Sequence, residues 1–380
     1  MKPWPLIFAV PLLLSACSKW GDPKAERAER AAKASGNIQI GAVWPWQAEN
    51  RDAWQGIELA VAEINAKGGV LNRQLQIVKK DDEASLARGR LVAQEFADNM
   101  DLVAVIGHLD SFIAAPASAI YHDAGLLYMT PGATTSEINR HGYRLTFRAI
   151  PTDTSIGRRM AEAMAEKGER RVAILYAKDD DSQDIANAFE QRARELGLGI
   201  ADRRSFNRGS REFGVILDTW KSLYEFDAML IAGSEQDIGR ILSQARQLNV
   251  NKHVFIGREM EAKILQELAG PGAEGVFMPN FVGAEKNGER YKKFVELFER
   301  RYGRRVISGY AVESYDAVHL LAQAMTRANS TVPENVAVSL RSTKKQQGAA
   351  GEYTFDETGN IPGKKIWIQQ YLNGGLVFVN

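Results

Sequence analysis

The sequence predicts an α/β protein of two lobes, each a doubly wound parallel sheet, and three observations carry that expectation. Apolar strand runs alternate with amphipathic helical runs from Asn37 to Pro279. A strand runs into a proline and a new helix cap at Arg148-Ala149-Ile150-Pro151-Thr152-Asp153, which reads as a crossover between lobes. After Pro279 the alternation gives way to helices, and three short strand signals close the chain.

The strands are expected at Ile38 to Val43, Leu75 to Lys79, Leu102 to Ile106, Leu126 to Met129, Val172 to Tyr176, Ala228 to Ala232, Val254 to Ile256 and Gly275 to Met278. Between them, residues spaced for one apolar face predict helices at Ala53 to Ala66, Leu86 to Asn99, Ile156 to Lys167, Ile185 to Leu196, Phe213 to Tyr224 and Ile238 to Leu248. Late helices at Glu289 to Arg301 and Tyr310 to Ala328 need a sheet to cover. The simplest route returns the chain to the first lobe and then crosses again near Tyr353, Ile366 to Gln370 and Leu376 to Val379. The expected division is residues 37–150 plus 284–352 for the first lobe and 151–283 plus 353–380 for the second. Several strands joining them would make a hinge that permits closure about a ligand. A length of 380 residues with 45% hydrophobic content suits two domains, because single cores stop growing near roughly 250–300 residues.

The first 16 residues read as a signal peptide. Leu6 to Leu14 is apolar but too short to span a bilayer, and Leu14-Ser15-Ala16-Cys17 follows as a lipoprotein cleavage box. Cys17, the single cysteine, is expected to accept a lipid. Residues 17–36 are polar and Ala-rich, so they read as a tether with nothing to bury against a core. The expected location is periplasmic or cell-surface, at the outer membrane in a Gram-negative cell. The chain carries 48 basic and 47 acidic residues, and loss of Lys2 with the signal leaves 47 of each, so net charge does not recruit nucleic acid.

Between Val105 and Ile138 an apolar strand twice runs into a turn bearing a hydroxyl: His108-Leu109-Asp110-Ser111, then Pro131-Gly132-Ala133-Thr134-Thr135. Ligands collect outside the carboxyl ends of parallel strands, where helix N-termini offer free N–H donors. Ser111 and Thr134 would there face one small anionic group. The other reading is that both hydroxyls merely cap helices.

The stretch from Val105 to Ile138, with Asp52 to Gly69 ahead of it ending in Glu63-Ile64-Asn65-Ala66-Lys67-Gly68-Gly69, resembles the leucine/isoleucine/valine-binding proteins. These are type I periplasmic solute-binding proteins of branched-chain amino-acid ABC transporters, and the likeness runs from about Asn37 to the C-terminus. The resemblance implies that Ser111 and Thr134 hold a ligand carboxylate, that the Ala133 carbonyl meets the ammonium, and that Glu259 of Gly257-Arg258-Glu259 closes on the same ammonium from the second lobe. It implies a monomeric carrier that delivers an amino acid or polar amide to an ABC transporter permease.

The chain also departs from that family. A first-lobe disulfide is absent, its positions being Ala84 and Asp110. Aromatic residues that wall the side-chain pocket are replaced by Asp181 and by Ser234 or Glu235, and the first loop reads Trp44-Pro45-Trp46. One reading is a polar or cationic ligand with Trp44 or Trp46 against its stem. The other is that Asp179-Asp180-Asp181 is a solvated loop and the pocket aromatics lie elsewhere.

An enzyme is not expected. The chain has no Gly-x-Gly-x-x-Gly after the first strand, no phosphate-binding Gly-x-x-x-x-Gly-Lys loop and no Gly-x-Ser-x-Gly elbow. His108, His122, His141, His253 and His319 lack metal-ligand spacing, so neither metal nor cofactor is expected. A ligand sensor that signals to a membrane receptor would need the same closing domain, and the sequence does not separate the two.

Overall fold

The computed structural model describes residues 22–47, 52–283, 288–306 and 308–379. The signal peptide and Cys17 lie outside the described residues.

The chain enters through helix α1 (Pro23–Lys33) and builds a first sheet from β1 (Ile38–Trp44), β2 (Leu75–Asp81), β3 (Leu102–Ile106), β4 (Leu127–Thr130) and β5 (Thr146–Arg148). Its order is β2-β1-β3-β4-β5 and every pair is parallel. Helices α2 (Asp52–Ala66), α3 (Leu86–Asp98), α4 (Ser111–Asp123) and the single turn α5 (Glu137–Arg140) connect these strands. The second sheet begins after α6 (Asp153–Glu166), with β6 (Arg171–Ala177), α7 (Asp180–Glu195), β7 (Gly199–Phe206), α8 (Gly214–Leu223), β8 (Ala228–Ala232), α9 (Glu235–Gln247), β9 (His253–Ile256), α10 (Ala262–Ala269) and β10 (Phe277–Asn280). Then come α11 (Glu289–Tyr302), α12 (Gly309–Ala328) and α13 (Pro333–Arg341), a small hairpin of β11 (Gln346–Gln347) and β12 (Glu352–Tyr353), and finally β13 (Trp367–Leu372) and β14 (Gly375–Val379). The last two strands pair antiparallel beside β10, giving the order β14-β13-β10-β9-β8-β6-β7.

Both sheets are covered on two faces, which is why their central strands are apolar throughout. The faces still separate with the period of two that a strand imposes. In β4, Leu127 and Met129 join α2, α11, α12 and α13 in one core, while Tyr128 joins α3 and α4 in another. In β8, Met229 and Ile231 face one core and Ala228, Leu230 and Ala232 the other. Edge strands lack that signature. The strand β7, Gly-Ile-Ala-Asp-Arg-Arg-Ser-Phe, was not among the expected strands, because an edge has one partner and carries charge on its open side.

The chain passes between lobes three times: after Arg148, after Asn280 and after Ile361. The described residues of these passages belong to no sheet, so the hinge that joins the lobes is three crossings of irregular chain. The last passage also falls later than residue 353. Tyr353, Phe355 and Ile361 are buried in the first-lobe core with Leu340, and Ile366 and Ile368 are the first residues to enter a second-lobe core. Short isolated strand signals do not reveal which core their apolar residues enter.

The expected tether is corrected over residues 22–36. Helix α1 is capped by the Asp22 side chain, which accepts from Lys24 N at 3.0 Å, and it buries Arg27 and Ala31. The Arg27 guanidinium donates to Ala97 O, Asn99 O, Leu102 O and Ala124 O at 2.6–2.8 Å. These carbonyls close α3 and α4 and open β3, so one side chain satisfies acceptors that helix ends leave unpaired. They also lie at the amino ends of the strands, opposite the cleft. A reading that looked for an apolar face passed over an anchor made by one cation.

Candidate functional site

Each turn after a parallel strand of either sheet except β1 and β2 sends a residue into one cavity of about 100 Å³ between the lobes. Leu109 to Phe112 follow β3, Gly132 and Thr134 follow β4, and Asp153 follows β5. From the second lobe come Asp179, Asp181 and Ser182 after β6, Arg208 after β7, Gly233 and Ser234 after β8, Gly257 to Glu259 after β9, and Phe281 after β10. Tyr310 arrives from the start of α12. A second cavity of about 330 Å³ shares Glu259 and Tyr310 with the first.

Tight backbone geometry makes room for the first-lobe part. Gly107 ends β3 with φ +146°, and a Cβ there would stand 2.1 Å from Val43 O, so no other residue fits that turn. Behind it His108 is fully buried, its Nδ1 2.7 Å from Asp82 Oδ2 and its Nε2 2.9 Å from the Tyr121 hydroxyl, while its backbone N–H donates to Tyr128 Oη at 3.1 Å. The imidazole is part of the scaffold. Ser111 is the first residue of α4 and Asp110 its cap position, so Ser111 does not cap the helix; its Oγ accepts from Thr135 N at 3.3 Å and ties the two turns together. Thr134 precedes the cap of α5, which is Ser136.

The second turn is held by Arg148. This buried guanidinium donates to Ala133 O at 3.2 Å, to Thr135 O, to Asn139 Oδ1 at 3.0 Å and to Asn360 Oδ1 at 2.9 Å. Burial pushes its pKa down to about 10 against the pull of Asp153. Because the carbonyls on either side of Thr134 are clamped, the hydroxyl's position is set by Arg148.

Charge concentrates on the opposite wall. Asp181 sits in the first turn of α7, where burial pushes it up to about 6 although the nearby Ser111 and Thr135 hydroxyls and Arg258 favour its charged form. One turn on, Ser136 Oγ donates to Asp184 Oδ2 at 2.7 Å, a hydrogen bond between the lobes. Asp153 is raised well above the ordinary carboxylate range by burial and by Asp181, although the Thr134 hydroxyl bonds it, and its Oδ2 has no hydrogen-bond partner. Burial and nearby Asp82 raise Asp110 as well. Arg258 is held upward by Glu235, Tyr310, Asp110 and Asp181, whose attraction outweighs its desolvation. Glu259 accepts from Asn280 Nδ2 at 2.6 Å.

Among the expected site residues the cavity brings together Ser111, Thr134, Asp181, Ser234 and Glu259. Glu235 faces the second cavity. Ala133 is buried, with its carbonyl taken by Arg148. Trp44 and Trp46 do not line the cleft. Trp44 is fully buried behind it, with its ring centroid 5.5 Å from that of Tyr310, and Trp46 donates to Lys80 O at 2.6 Å while Lys79 lies over its ring. The aromatic side chains that line the cavity from the first lobe are Phe112 and Tyr310, not a tryptophan. The sequence reading also left Asp110, Asp153, Arg208, Arg258 and Phe281 without a ligand role, though each stands at or just beyond the carboxyl end of a strand.

Comparison with known proteins agrees with this architecture. The family model described as periplasmic binding protein matches residues 38–375. The chain is 31% identical over 314 residues to the Leu/Ile/Val-binding protein of Escherichia coli (strain K12), covering 81% of this chain and 82% of that one. It is 28% identical over 309 residues to the leucine-, isoleucine-, valine-, threonine-, and alanine-binding protein of Pseudomonas aeruginosa, covering 80% and 81%. Among solved structures, an ABC transporter substrate-binding protein from Desulfitobacterium hafniense in complex with Leu superposes with a TM-score of 0.81 at 35% identity, over 90% of this chain and all of that one. A leucine-binding protein from Thermotoga maritima gives 0.81 at 27% identity, over 90% and 98%.

Proposed function

The chain belongs to the periplasmic binding protein family and is a solute-binding protein, not an enzyme; on that premise we propose that it captures a small amino acid or amide between its lobes and passes it to an ABC transporter permease. One observation carries the reading: Ser111 and Thr134 on one lobe and Glu259 on the other line a single cavity. A zwitterion buried there needs donors for its carboxylate and a carboxylate for its ammonium, because an unpaired buried charge costs several kcal/mol. The first-lobe turns supply hydroxyls and backbone N–H groups, and Glu259 supplies the opposing charge. The similar proteins support the class, since those from Escherichia coli and Pseudomonas aeruginosa are named for the amino acids they bind.

Closure follows from the same arrangement. Contacts from both lobes to one ligand exist only when the lobes are together, so the ligand stabilises that state by its differential affinity for it. The lipid expected on Cys17 would hold the domain at a membrane surface as a monomeric carrier, and Cys17→Ser should release it from the membrane fraction.

Titration calorimetry against the common amino acids tests the site. Ser111→Ala and Glu259→Gln should each weaken the bound amino acid by about 1–3 kcal/mol with circular dichroism unchanged. Wild-type affinity in both variants would remove the site.

A further inference from the structure

Five carboxylates line the cavity, Asp110, Asp153, Asp179, Asp181 and Glu259, against two guanidiniums, Arg208 and Arg258. One ligand ammonium accounts for one of these acids. Arg258 already attends to Asp110 and Asp181, and also to Glu235 in the neighbouring cavity. The remaining surplus would be a liability for an aliphatic side chain.

Two further features show where the surplus acts. Asp153 is 1% exposed, faces the cavity, and its Oδ2 has no partner at all, so a buried acceptor points into the cleft and awaits an N–H. Asp181 lines the same cavity from the second lobe and lies close to the hydroxyls of Thr135 and of Ser111, and Ser111 with Thr134 forms the cradle expected to receive a ligand carboxylate. A ligand carboxylate arriving there displaces the Asp181 carboxylate, which then needs a new partner inside a desolvated space. Leucine offers none, and would leave Asp153 Oδ2 and the displaced Asp181 carboxylate without a donor from the ligand. A ligand with a branched, cationic donor group supplies partners for both at once.

We infer that the cleft selects an amino acid whose side chain ends in a guanidinium or amidinium group, with Asp181 and Asp153 receiving that group once the α-carboxylate has taken over the hydroxyl cradle. This deepens the amino-acid clamp described above and rests on it. Specificity here comes from a repulsive element as much as an attractive one: the displaced Asp181 penalises every ligand that cannot satisfy it. The exposed Phe112 and the buried Ile156 and Phe281 line the cavity where they can flank the aliphatic stem.

The experiment is titration of the full chain with L-arginine, its uncharged isostere L-citrulline, and L-leucine. Arginine should bind about 100-fold or more tighter than leucine, with citrulline between them. Asp181→Asn should reduce arginine affinity about 10-fold or more while leucine affinity stays level or rises. Asp153→Asn should act in the same direction on arginine. Leucine binding more tightly than arginine to the wild-type chain would overturn this selectivity and leave the amino-acid clamp intact, as would an arginine-to-leucine ratio unmoved by Asp181→Asn. A chain that binds none of the three, nor any other common amino acid, would overturn the clamp itself.

Discussion

Two sets of buried polar groups, one behind the first-lobe turns and one in front of them, differ in a single respect. Behind, the buried charged and imidazole groups are paired: Arg27 and Arg148 each make four hydrogen bonds, and His108 uses both ring nitrogens. In front, Asp153 Oδ2 and Arg258 Nε have no partner, and burial holds Asp181 above the ordinary carboxylate range. The lesson is that satisfied buried charge marks structure, whereas unsatisfied buried charge at strand ends marks the place kept for a ligand.

The largest expected effect lies on the satisfied side. Arg148→Met leaves the carbonyls of Ala133 and Thr135 and two side-chain amides without their donor, and should cost about 3–5 kcal/mol in urea denaturation. It should also lower ligand affinity, because the turn bearing Thr134 loses its clamp. A variant of wild-type stability would break the comparison. Next is Arg27→Leu, expected to cost about 1–3 kcal/mol and to raise hydrogen exchange in α1 while ligand affinity stays unchanged. A change in affinity would mean that the far end of the strands communicates with the cleft.

The smallest effect is the most discriminating, because it reads the unsatisfied side directly. Asp181 and Asp153 have folded pKa values above their unfolded ones, so between the two the folded chain binds more protons than the unfolded chain. Such groups favour folding at low pH and lose that contribution as pH rises through the folded value. Without added ligand, the melting temperature should therefore fall as pH rises from about 4, the ordinary aspartate value, to about 6 and slightly beyond, where Asp181 titrates. Asp181→Asn should flatten that slope. Scanning calorimetry across this window checks it, and a slope of the opposite sign would remove the strained carboxylates from the account.

Much of this was legible in the chain because burial on two faces writes strong signals. The runs Leu102 to Ile106 and Ala228 to Ala232 are apolar from end to end and became the strands expected. Ser111, Thr134 and Glu259 stand beside turn motifs with recognisable chemistry, and all three reach the cavity. The edge strand β7 stayed hidden since half its surroundings are solvent, and Arg27 stayed hidden since a guanidinium with carbonyl partners leaves no periodic trace. Trp44 misled for a simpler reason: a large ring at a strand end can face back into the core as readily as out of it, and the close approach of Gly132 turns it there.

The anchoring of the first helix shortens the leash. Were residues 17–36 an extended tether, the domain could roam tens of ångströms from a lipid on Cys17; with α1 docked from Pro23, five residue steps from Cys17 to Asp22 reach at most about 18 Å. Docking is on the base of the first lobe, away from the cleft, so a membrane-bound chain would stand close above the lipid with its mouth turned outward and its hinge free of any pull from below.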